Sequence, residues 1–74
     1  MIILDNKNLQ IDVTNNNVFN EQKNILIDKN GENKDYPEIG DIFITVIKNF
    51  LIISKISSIS ENKINMNIIK QKQI

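Results

Sequence analysis

Leu9, Ile11 and Val13 alternate with Asn8, Gln10, Asp12 and Thr14, a period of two that predicts a strand with one buried face. Thr14 and the three asparagines after it predict a turn, because Asn tolerates left-handed backbone and bonds its own chain locally. Val18 and Phe19 begin a second short strand, and Ile25-Leu26-Ile27, framed by polar residues, predicts another within 23–28. Asn30-Gly31 is the strongest short-range hairpin signal in the chain. Residues 32–35 are too polar for a return strand, so 29–38 reads as a surface loop.

Gly40-Asp41 opens the most strongly patterned part. Residues 42–47 are β-branched or aromatic at every position, which suits a pleated surface. Residues 50–53 repeat the pattern after Lys48-Asn49, and 54–60 continue it more weakly. Over 63–70, Ile64, Met66 and Ile68 face one way and Lys63, Asn65 and Asn67 the other. The competing reading is a single helix over 42–58, since Ile42, Val46 and Phe50, with Phe43, Ile47 and Leu51, also recur at helical spacing. The density of β-branched residues and the lack of Ala favour strands, and Ile44, Ile52 and Ile53 would fall off a helical stripe.

Five or six short strands result, and with them an all-β fold: a small five- or six-stranded barrel or barrel-like sheet, the arrangement that protects strand edges. Residues 1–70 form one small β domain, and 71–74 a short basic tail. A domain of this length buries only about 60% of the surface its unfolded chain exposes. With no Cys there is no disulfide to help, and with no His the commonest metal ligand is missing. A partner surface remains as support.

Composition narrows the chemistry. Ile, Asn and Lys supply 39 of the 74 residues, and Ala, Arg, Trp, His and Cys are absent. All three abundant types have AT-rich codons, so Asn and Lys runs carry less functional weight than in a balanced composition. The formal net charge is zero, yet residues 1–41 carry four Lys against eight carboxylates and 42–74 five Lys against Glu61 alone. Only the C-terminal half offers a positive surface to a polyanion. Without His or Cys a nucleophile has no ordinary activating partner, so no enzyme activity and no cofactor are expected. Asp35, Glu38 and Asp41 match no calcium loop and read as a solvated acidic loop, and no metal is expected. Gly31 and Gly40 make no phosphate-cradling loop. The N-terminus lacks the features of a signal peptide, and residues 42–59, broken by Lys48, Asn49 and Lys55, fall short of a membrane span. The expectation is a chain that is not secreted, residing in the cytoplasm or an organelle interior, with no membrane and no small-molecule substrate.

Two binding surfaces suggest themselves. Small barrels bind single strands by stacking bases on aromatics beside a cationic groove, and Lys48 and Lys55 lie near Phe43 and Phe50. Were Ile42, Ile44 and Val46 inward, Phe43, Thr45 and Ile47 would form an outward row; aromatics in so small a protein more commonly sit in the core or under a neighbouring chain. Residues 42–47 and 50–53 are also uncharged β-prone windows that need covering. The candidate nucleic-acid contacts are therefore Lys48, Lys55, Lys63, Lys70 and Lys72, and the candidate partner interface is Phe43, Phe50 and Ile52.

The segment Tyr36-Pro37-Glu38-Ile39-Gly40-Asp41-Ile42, followed by alternating strands to residue 57, resembles the start of the oligonucleotide-binding barrels of exosome RNA-binding cap subunits. Tyr36, Gly40-Asp41, Val46-Ile47-Lys48 and residues 64–72 also resemble, in order, the fourteenth large-subunit ribosomal protein, a β-barrel that contacts ribosomal RNA. These resemblances imply a non-catalytic subunit of a larger RNA-handling assembly, docked by apolar strands with its lysine-bearing half toward RNA. The alternative is a protein–protein assembly or structural subunit, for example of a viral complex, with no nucleic-acid contact.

Overall fold

The computed structural model describes residues 2–4, 7–12 and 24–74. They form six antiparallel strands: β1 (Ile2–Leu4), β2 (Asn8–Asp12), β3 (Ile25–Ile27), β4 (Ile42–Ile47), β5 (Phe50–Ile59) and β6 (Lys63–Gln73). The spatial order is β1-β2-β6-β5-β4-β3, one open, barrel-like sheet with no helix among the described residues. The helical reading of 42–58 is excluded. Ile47 pairs with Phe50 across the Lys48-Asn49 turn, and the ladder runs on without a break to Ile42 opposite Lys55.

Register assigns every side chain to a face, because residues directly opposite each other in a ladder share one side of the sheet. Leu9 faces Met66 and Ile11 faces Ile64; Leu26 faces Phe43, which in turn faces Ser54. Leu9, Ile11, Leu26, Phe43, Ile56, Ile64 and Met66 form one buried cluster spread over five strands, with Ile47 and Ile68 packed against it. A flat sheet leaves such a face wet. Here the smallest dimension of the molecule is 21 Å, far more than one pleated layer, so the sheet is rolled around its own inner face. Register shifts at Ile53/Ser54 and Ile56/Ser58 place bulges in the β5–β6 ladder, the local bends that rolling requires.

Polar groups inside this core are partnered. Thr45 Oγ1 donates to Asn24 Oδ1 at 2.6 Å, and Ser54 Oγ donates to the Phe43 carbonyl at 3.1 Å. Among the described residues no buried side-chain nitrogen or oxygen lacks a hydrogen bond, as a small interior demands.

Several boundaries differ from the sequence reading. Ile2–Leu4, too short to show a period, pairs with β2 as β1. The polar stretch after Gly31 returns far enough for Asn33 to bridge Ile27. Gln71 to Gln73 are no loose tail: they pair with Ile52 to Phe50 and belong to β6. In the last two cases neighbouring backbone supplies the ladder bonds that a polar sequence does not advertise. Val13, the turn predicted at 14–17 and the strand begun by Val18 and Phe19 lie outside the described residues.

Candidate functional site

The outer face of the sheet follows from the same registers. On β3 it carries Ile25 and Ile27, on β4 Ile42, Ile44 and Val46, and on β5 Leu51 and Ile53. All seven are aliphatic. Ile25 is 45% exposed and the others are half-buried. Beyond them the face turns cationic: Lys55 opposes Ile42, Lys70 opposes Ile53 and Lys72 opposes Leu51. Lys70 and Lys72, two residues apart on one strand, lie roughly 7 Å from each other along it.

The structure thus brings together three of the five predicted lysines, Lys55, Lys70 and Lys72, on one exposed rim. Lys48 occupies the β4–β5 turn, with its backbone at φ 55. Lys63 sits at the far end of β6 opposite Asp12 and does not join them. The proposed partner residues divide differently. Phe43 and Ile52 are 0% exposed in the chain's own core, so neither reaches a partner while the fold is intact. Phe50 is half-buried opposite Ile47, on the inner side. The reason is a choice of facing: with every position of β4 apolar except Thr45, alternation alone cannot say which set turns inward. Thr45 goes in because Asn24 receives its hydroxyl.

The acidic loop is built otherwise than a solvated one. Asp28 accepts backbone N–H bonds from Asn30 and Glu32 at 2.8 and 3.0 Å, while Gly31, at φ 82, closes a tight turn by donating to the Asp28 carbonyl. The Glu32 amide bond, followed by that of Asn30, lowers the Asp28 carboxyl below its ordinary value. Further on, Lys34 Nζ lies 2.8 Å from both Asp41 Oδ2 and Glu38 Oε1 and 4.5 Å from the centre of the Tyr36 ring. Asp41, only 5% exposed, also accepts the Glu38 amide at 2.8 Å. Bonds to Asp41 first and Glu38 second raise Lys34 well above its ordinary value. These carboxylates are committed to holding the loop over a shallow depression of about 560 Å³. Asp35 and Tyr36 remain exposed at its rim.

Among the described residues no group of three or more His, Cys, Asp or Glu is placed to hold a metal, and no helix is long and apolar enough to cross a membrane. The Lys34–Asp41 pair has no periodic signal in the sequence and was invisible there. The outer apolar row was signalled by unbroken β-branched runs, though not its facing. No family model, curated protein or solved structure matches the chain. What the arrangement offers chemically is a surface: an aliphatic centre with a lysine rim.

Proposed function

We propose that this chain is a non-catalytic assembly subunit that docks on another protein through the outer face of β3, β4 and β5. The single observation that carries this reading is that every outer position of β3 and β4, and the first two outer positions of β5, Leu51 and Ile53, are aliphatic. An antiparallel sheet with one face in water normally alternates apolar and polar along each strand. Apolar residues on both faces belong to a sheet covered on both. An apolar centre with a charged rim is also the anatomy of a protein interface, and Lys55, Lys70 and Lys72 suit carboxylates on the partner.

The RNA-handling reading, of ribosomal or exosome type, draws support from the same three lysines sharing a face. It is the weaker of the two. Phe43 lies in the core and Phe50 on the inner side, so no aromatic of β4 or β5 stands beside the lysines to stack a base.

The test is purification of the tagged chain from its native source at low and at 1 M salt, with protein and RNA both identified. The expected result is a stoichiometric protein companion that survives high salt and is lost with Ile44→Asp, while circular dichroism of that variant stays β-rich. RNA that disappears with salt and with Lys70→Glu/Lys72→Glu would establish the second reading instead. A solitary chain under all conditions would defeat both.

A further inference from the structure

β6 outruns its neighbour. β2 pairs with it only from Lys63 to Asn67, and the last bond on that side is the Ile68 amide donating to the Lys7 carbonyl at 2.9 Å. Among the described residues nothing pairs on that side with 69–73, while β5 holds the other side through Phe50 to Ile53. The Ile74 amide donates toward β5, to the Asn49 carbonyl at 2.7 Å. Alternation along the strand then turns the backbone groups of Lys72 and Lys70 toward β5 and those of Gln71 and Gln73 outward. Every residue from 69 to 74 is exposed, Ile69 at 58%. The edge of β3 is different, because there the chain closes it: the Lys34 amide donates to the Leu26 carbonyl at 2.9 Å.

An open edge with outward N–H and C=O groups is a template for an added strand. Charge decides which strand. Lys70 and Lys72 flank Gln71 on the outer face and form no ion pair among the described residues. After Asp41 the sequence has a single carboxylate side chain, Glu61, in the β5–β6 turn at the opposite end of β6. We infer that the edge of β6 over residues 69–73 takes an extended peptide segment of a partner protein, with carboxylates at alternate positions facing Lys70 and Lys72. A second copy of this chain is the poorer occupant, because antiparallel pairing centred on Gln71 sets lysine against lysine. Phosphate would answer the lysines and leave the outward backbone groups of Gln71 and Gln73 unmatched.

The inference shares Lys70 and Lys72 with docking through the outer face but rests on the backbone edge of β6, and its test separates the two. The full chain, 15N-labelled, is titrated with a blocked octapeptide alternating Glu and Val, with its Lys/Val counterpart, and with an eight-nucleotide oligouridylate. The expected result is binding of the Glu/Val peptide alone, with shifts centred on 69–73 and slowed hydrogen exchange at the Gln71 and Gln73 amides. Gln71→Pro removes an outward amide that β5 does not use, so it abolishes binding and leaves the fold in place. Lys70→Glu/Lys72→Glu weakens the Glu/Val peptide about tenfold and admits the Lys/Val peptide. Ile44→Asp leaves peptide binding unchanged. Binding indifferent to Gln71→Pro, the same shifts from the oligouridylate, exchange slowed only by self-association, or no binding of the Glu/Val peptide would each overturn the inference.

Discussion

Phe43 and Ile44 are neighbours in sequence with opposite fates. Phe43 is 0% exposed in the cluster, while Ile44 lies half-buried on the outer face between Ile25 and Ile53. Phe43→Ala should cost about 3–5 kcal/mol, most of the stability of a chain this small, whereas Ile44→Ala should cost only about 1 kcal/mol in the isolated protein. Urea unfolding followed by circular dichroism measures both, and equal costs would show the facing to be wrong. Two ionisable residues make stability depend on pH, one at each end of the range. Asp28, held below its ordinary 3.8, contributes stability above that pH and loses it as pH falls through its lower folded value. Lys34, raised above its ordinary 10.5, contributes fully below that pH and loses it only as pH rises through its higher folded value. Thermal midpoints should therefore hold from neutrality to about 10.5 with respect to Lys34, and fall below pH 4 through Asp28. Asp28→Asn keeps an accepting oxygen and should blunt the acid limb in the same melts.

At the scale of the elements, the β4–β5 hairpin has a two-residue turn whose first central residue, Lys48, takes φ 55. Gly is the usual occupant there, since a Cβ crowds the following carbonyl. Lys48→Gly should raise stability by about 0.5–1 kcal/mol, read as a higher urea midpoint with unchanged slope. The 28–32 turn shows the converse. Gly31 already supplies the left-handed position, and Asp28 ties the turn down from both its carbonyl and its carboxylate. The Asn30-Gly31 signal was sound, and the polar return past it is short because a single bridge at Asn33 ends the pairing. β6 owes its length to β5: composition alone would have ended it near Lys70.

For the whole molecule, the radius of gyration is 11.1 Å, against about 11.3 Å for an independent domain of this length. The chain therefore reaches full compaction, and what remains apolar after rolling is the outer face, not the interior. That division of labour shapes the functional reading. Rolling buries one face of five strands and leaves the β-branched residues of the other face half-buried or, at Ile25, exposed. It also leaves β6 longer than the strand beside it. The two features predict separable losses: Ile44→Asp for the face and Gln71→Pro for the edge.

From the residues alone came the all-β class, the positions of β2 to β6 to within a few residues, the turn signal at Asn30-Gly31 and the surplus of apolar strand. Each is a local property, carried by β-branched content, period and turn chemistry. Facing was not legible for β4 and β5, because a strand apolar on both sides carries no alternation to read; the Asn24–Thr45 bond and the β4–β5 register settled it. Nor was the Lys34–Asp41 pair, which depends on the loop folding back, or the edge of β6 over 69–73, unpaired on one side among the described residues because the bonding there ends at Lys7–Ile68. Tertiary structure decided these because each is set by which strand lies beside which, and that arises only when the sheet assembles.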